Sequence, residues 1–246
     1  MPAHGLRSRL MAVETSAMRL AKPQIDVGLN TNQLEPMLAF WQELAGAKFD
    51  HVLPIRRGVD QHRHDLNGSV LKINHYRDPL PERAPSGYRQ VTVARQGLAM
   101  AKTLSDPDGN RVALVPLGTG GIRQIAVNMS VRDISAHSRF FGTAMGLEPV
   151  GFPQGVAFRA GESLIRCEHA GDLPDDVQFD GKGWRYITFQ VFKVDEEHFR
   201  VLGAGGREAM APRTLGSTAR ISMLRDPDGN WIELSQRASI TGSLDP

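Results

Sequence analysis

The sequence predicts an α+β fold of tandem βαβββ modules, arranged as two domains, the first abbreviated. Three observations lead there. A turn motif recurs, SDPDGNRVALVP at 105–116 and RDPDGNWIELSQ at 225–236. Three further pairs keep the same order: VGLNTNQLEPMLAFW with VNMSVRDISAHSRFF, HDLNGSVLKINH with FRAGESLIRCEH, and GYRQVTV with GWRYITF. Within each half the apolar period switches from two to about 3.6 and back, the signature of strand, helix and strands.

Residues 1–22 lack the apolar run of a secretion signal and are expected to be an N-terminal extension, mobile or packed as a weak amphipathic helix outside the fold. After a first strand, Leu34, Met37, Leu38 and Trp41 repeat at i, i+3, i+4 and i+7, one face of a helix. Gly46 and Gly146 supply the stop in the two halves. Alternating segments follow near 48–55, 60–66 and 69–76, the last two joined by Asn67 and Gly68, a two-residue hairpin signal. In each DPDGN segment Pro is second and Gly fourth, with an Asp able to cap the turn, so the unit is strand, turn, strand. DEEHFRVLGAGG predicts a helix in the second half, whereas VTVARQGLAMAKTLSDPDGN leaves room for little or none in the first. The glycine-rich LGTGG is the expected linker, between a domain over 23–117 and another over 121–238, with 239–246 as a tail.

Composition narrows the function classes. The chain is 41% hydrophobic and 23% charged, ordinary for a globular protein. Its net charge is +2, and Lys and Arg are scattered, which argues against nucleic acid or a membrane surface as partner. No apolar stretch approaches the roughly 18 residues of a transmembrane helix. Cys167 is the only cysteine, which excludes an internal disulfide and any Cys-rich zinc site and points to the cytoplasm. There is no phosphate-binding glycine loop, GxSxG elbow or HExxH.

Over residues 24–236, strand, helix and strands closing on a DPDGN hairpin resemble the vicinal oxygen chelate superfamily, the glyoxalase, bleomycin resistance protein and extradiol dioxygenase type. The resemblance implies paired modules whose cupped mixed β-sheets curl around small-molecule clefts, with metal ligands on the first, fourth, fifth and eighth strands of a domain. Those places hold Asp26, Lys72, Gln90 and Ala113 in the first half and Ala126, Arg166, Tyr186 and Glu233 in the second. Gln124, Asn74 and Glu168 lie two residues from three of them, on the same faces. Neither set suits a divalent ion. A set drawn from both halves, Asp26, Lys72, Tyr186 and Glu233, offers two carboxylates beside an ammonium.

The expectation is therefore a cleft without a cofactor, in which a side-chain cation takes the charge role of the metal. Glu233 is the candidate base, or else one member of an ion pair with Arg166. Tyr186 would donate to a developing oxyanion, or merely shape the wall. Arg166 and Lys72 would bind anionic oxygens or neutralise their own acids. Glu168, Asp26, Gln90, Asn128, Trp184 and Trp231 complete the expected lining, the tryptophans for a planar ligand or for packing. The ligand is accordingly a small molecule, anionic or aromatic, and the enzyme a lyase, isomerase or ring-modifying type. Two alternatives stand beside it: a non-catalytic binding or resistance protein, and a metal enzyme of glyoxalase or extradiol type holding Fe, Zn, Mn or Ni on Asp26, Gln124, Glu168 and Glu233. His62, His64 and His75 cluster on the face expected to back onto a helix, and Cys167 is expected to be packed. Either a monomer or a homodimer fits two fused domains.

Overall fold

The computed structural model describes residues 17–171, 173–174 and 177–245. Residues 1–16 of the expected extension lie outside them. Met18 is buried, Leu20 bridges Val191, and Arg19 N–H donates to Glu197 Oε1, so residues 17–22 lie against the second half of the chain.

The first half runs β1 (Asp26–Thr31), α1 (Leu34–Ala39) continued by a π turn over Phe40–Leu44, β2 (Lys48–Arg56), β3 (Val59–Leu66), β4 (Ser69–Tyr76), β5 (Tyr88–Arg95), β6 (Lys102–Ser105) and β7 (Arg111–Pro116). The second runs β8 (Ile125–Val131), α2 (Ile134–His137) with a π turn over Ser138–Ala144, β9 (Glu148–Val150), β10 (Gly155–Ala160), β11 (Ser163–His169), β12 (Gly183–Gln190), α3 (Val194–Gly203), β13 (Arg207–Leu215), β14 (Ala219–Arg225) and β15 (Trp231–Arg237); a short α4 (Ala238–Thr241) follows. Between β5 and β6 no helix forms, the shortening expected of the first half. Residues 207–215 form an edge strand paired with β14.

Local chemistry explains the breaks. Gly46 and Gly146 take φ of 70° and 68°, which other residues rarely adopt, and end the two helical segments. Asn67 and Gly68 both have positive φ and close β3 onto β4. In each DPDGN turn the first Asp side chain accepts backbone N–H groups: Asp106 from Asp108 and Asn110, Asp226 from Asp228 and Asn230. The motif is thus a self-capping turn.

The strands form two curled mixed sheets. The eight-stranded sheet is ordered β13-β14-β15-β12-β1-β4-β3-β2, and the seven-stranded sheet β6-β7-β5-β8-β11-β10-β9. The four modules, β1–β4, β5–β7, β8–β11 and β12–β15, are therefore shared out crosswise: the first pairs with the fourth through β1 and β12, the second with the third through β5 and β8. One hydrophobic cluster spans both halves, including Trp41 and Phe141 from the helical segments and Leu71, Val93, Ile187 and Leu234 from the strands.

Candidate functional site

Strand alternation puts the flanking Ile232 and Leu234 in the core, both with no exposed surface, and so turns Glu233 to the opposite face. That face lines a cleft of about 510 Å³ in the curl of the eight-stranded sheet. Register carries a polar row across the floor: Arg63 opposite Lys72, Lys72 beside Gly28, Asp26 opposite Thr188, and Thr188 beside Glu233. Arg63, Lys72 and Asp26 of this row come from β3, β4 and β1, and Thr188 and Glu233 from β12 and β15.

The Lys72 ammonium donates to Glu233 Oε2 at 2.9 Å and to Thr188 Oγ1 at 2.7 Å, and Thr188 Oγ1 donates to the same Oε2 at 3.0 Å. Glu233 is only 8% exposed, yet no described residue hydrogen-bonds its Oε1. Burial holds Lys72 below the usual lysine range, against the opposing pull of Glu233 and Asp26. Asp26 is the fully buried acid of the row. Burial works to raise its pKa, but Lys22, Lys72 and Gln190 hold it below the usual carboxylate value. Its Oδ1 accepts from Lys22 Nζ and Val70 N–H and its Oδ2 from Gln190 Nε2.

Tyr186 faces the same cleft. Its Oη accepts from Gln61 Nε2 and Asn74 Nδ2, both at 3.3 Å, which leaves the phenolic hydrogen to point elsewhere. Burial, reinforced by the charge of Glu233, pushes the phenol up, so it stays a donor at neutral pH. Its ring lies where a side chain on Gly28 would stand: a Cβ there would sit 2.2 Å from the ring. Phe179 packs on Tyr186 and on Trp231 at centroid distances of 5.3 and 5.1 Å, and its loop is tied down by the buried Arg185, which donates to the carbonyls of Gly181 and Gln178.

Of the residues expected at the site, Glu233, Tyr186, Lys72 and Trp231 line this one cleft, and Asp26 is fully buried opposite Thr188. Arg166 does not pair with Glu233. It belongs to the other sheet, donates to Gly120 O and lies over the Phe152 ring, and Lys72 takes the place expected for it. Gln90, Asn128 and Glu168 also belong to that sheet. Trp184 follows strand alternation only until the irregularity of the β1–β12 register at Gly28 and Leu29; it packs edge-on against Trp41 in the core. The corresponding curl of the seven-stranded sheet is filled by Ala94, Ala113, Val115, Ile122, Ala126 and Leu164, a small apolar cluster where the first curl is polar.

Sequence reasoning missed Arg63, Gln61, Arg237 and Phe179. Gln61 and Arg63 alternate on β3, and Arg237 continues the alternation of Glu233 and Ser235, a period-two signal masked by the more conspicuous His62 and His64. His64 is buried with its Nε2 3.0 Å from Gln42 Nε2, in the π turn after α1, as a helix-facing role requires. Cys167 is buried, and burial pushes its thiol up, which rules against a nucleophile.

The donor chemistry does not suit the divalent ion that the resemblance implies. An ammonium, which only donates, stands against Glu233, and both oxygens of Asp26 are engaged. The displaced set is dispersed: Gln124 is bound to Asn67 O and Ser69 Oγ where the halves meet, and Glu168 is exposed on the other sheet. Among the described residues no group of three or more His, Cys, Asp or Glu could hold a metal. No described helix is long and apolar enough to cross a membrane.

Comparison with known proteins places this architecture. Residues 121–234 match the Glyoxalase/Bleomycin resistance protein/Dioxygenase superfamily. Glyoxalase I from Zea mays superposes with a TM-score of 0.70 at 14% identity, covering 93% of this chain and 95% of that one. A "putative dioxygenase" of Bacillus subtilis gives 0.69 at 11% identity, covering 91% and 86%. A sequence comparison with curated proteins gives no match. At these identities the structural likeness speaks for the fold alone. Residues 121–234 belong to the glyoxalase, bleomycin resistance protein and dioxygenase superfamily, and the whole chain is built on its two-module, glyoxalase-like plan.

Proposed function

We propose that the cleft of the eight-stranded sheet is the site of a metal-independent acid–base enzyme, of lyase, isomerase or ring-modifying type, acting on a small molecule with an acidic carbon-bound hydrogen. The observation that carries this is Glu233: a buried carboxylate with Oε2 fixed by Lys72 and Thr188 and Oε1 left open on the cleft. In this reading Oε1 takes a proton from the carbon beside a carbonyl. The electron pair moves onto the carbonyl oxygen, where the Tyr186 hydroxyl and the remaining N–H of Lys72 receive it. The same carboxyl then returns the proton to a neighbouring carbon or leaving group. Both sheets are completed within one chain, so a monomer suffices, and the buried single cysteine is compatible with the cytoplasm.

The test is exchange of carbon-bound hydrogen for deuterium, followed by NMR in D₂O over a panel of β-keto acids and α-hydroxy ketones. Wild type exchanges at least one of them, and Glu233→Gln slows that exchange by roughly 10²–10⁴-fold, the usual worth of a general base. Stoichiometric Fe, Zn, Mn or Ni in the purified protein, with exchange abolished by a chelator, would overturn the metal-free mechanism. A second reading, capture without turnover, draws on the Lys72–Glu233 pair, since two groups that neutralise each other make a stable floor. Binding without exchange in wild type selects it.

A further inference from the structure

The cleft holds a second feature that proton transfer does not use. Arg63, on β3 beside Lys72, is 4% exposed. Its Nη1 donates to Gln61 Oε1 at 2.6 Å, but its Nε is buried without a partner. Arg237 lines the same cleft on the face shared with Glu233 and Ser235. Neither guanidinium makes an ion pair with a described acid. Burial, with the like charge of Arg63, depresses the pKa of Arg237 against the weaker pull of Glu233, Asp26 and Asp50, and the two cations lie within each other's field. The acids that line the cleft are already engaged: Glu233 by Lys72, and Asp180 by the bidentate Arg83. A buried guanidinium that makes no ion pair is costly, and a second, half-buried cation beside it adds to the cost. Such a pair is tolerated where an anion completes it, because the planar fork of arginine matches carboxylate and phosphate oxygens. Beyond the arginines the cleft is walled by Leu53, Ile55, Leu215, Ile221 and Met223, a surface that excludes water from an apolar body.

We infer that Arg63 and Arg237 form an anion subsite, and that the ligand is an amphipathic acid, a carboxylate or phosphate ester joined to an apolar or aromatic body. This rests on the cleft being a small-molecule site, but not on Glu233 acting as a base. The shared chemistry is a pair of anionic oxygens, and carboxylate and phosphate are told apart in the test.

Isothermal titration with 2-naphthoate, 2-naphthyl phosphate and the neutral 2-naphthamide supplies it. Wild type binds at least one of the two anions about tenfold or more tighter than the amide, and the tighter anion identifies the headgroup. Arg237→Met and Arg63→Met each erase most of that preference while amide binding stays within about twofold. Arg237 ends a strand and is partly exposed, so its variant keeps the test open if Arg63→Met fails to fold, as judged by circular dichroism. Glu233→Gln keeps the preference even where it abolishes deuterium exchange, so loss of the catalytic reading and loss of this subsite give different results. Equal binding of anions and amide by wild type, or a preference that survives in Arg237→Met, overturns the inference.

Discussion

Glu233 owes its one open oxygen to Lys72 and Thr188, which hold the other, and the pair has energetic consequences that can be measured. Lys72→Met leaves a buried carboxylate without its cation and should cost about 3–5 kcal/mol in urea denaturation. Glu233→Gln keeps shape and polarity and should cost less, about 1–3 kcal/mol. At Gly28 the limit is steric. Ala there drives a methyl into the Tyr186 ring, so Gly28→Ala should lose about 1–3 kcal/mol and displace the phenol from Gln61 and Asn74; thermal melts and a crystal structure of the variant check both effects. The direction of Glu233 was legible from its apolar neighbours, since alternation needs only local sequence. Its partner was not. Lys72 is 161 positions away and meets Glu233 through the pairing of β1 with β12, a register no local pattern encodes. For the same reason Arg166 was expected beside an acid from which the strand order separates it, and Trp184 was expected in the cleft because alternation cannot foresee a register irregularity.

At the scale of elements, the turns proved more than punctuation. Each DPDGN hairpin reaches across to the opposite half: Asn110 Oδ1 accepts from Trp184 N–H, and Asn230 Oδ1 from Gly87 N–H at 2.6 Å. Asn230 is fully buried and also donates to Asp226 Oδ2, so Asn230→Ala strands a buried N–H and should cost about 1–3 kcal/mol by chemical denaturation. The recurrence of the motif was plain in the sequence, but its latching role was invisible, because both partners are backbone groups. A titrating contact joins the same hairpin to the helical segment of α2. His137 Nε2 lies 3.3 Å from Asp226 Oδ2 and 3.8 Å from Asp228 Oδ2. Burial lowers its pKa, but the bond and charge of Asp226, with Asp133 and Asp228, win, and the net shift is upward. A raised folded pKa means stabilisation present in full below the unfolded value near 6.5 and lost as pH rises through the folded value. The melting temperature of wild type relative to His137→Gln should therefore shrink from about pH 6.5 upwards.

Over the whole molecule, the crosswise sharing of modules makes the two halves inseparable. A chain cut within 118–120 would leave β1 and β5 without their antiparallel partners β12 and β8, two exposed sheet edges. Expressed alone, 17–117 and 121–245 should be aggregated or self-associated rather than folded monomers, and co-expression should restore a compact complex on size-exclusion chromatography. The tandem modules could be read from repeats and periodicity and the mixed, cupped sheets followed from the family resemblance, whereas the strand order that assembles the cleft could not be read, since collinear repeats are equally compatible with either pairing. That order also sets a timetable. β15, the last described strand, carries both Glu233 and Arg237 to a floor whose other cations, Lys72 and Arg63, were synthesised long before. Until β15 docks, neither a nascent nor a refolding chain holds the Lys72–Glu233 pair or a complete cleft, so closure of the cleft reports on the long-range pairing of β1 with β12 and of β12 with β15.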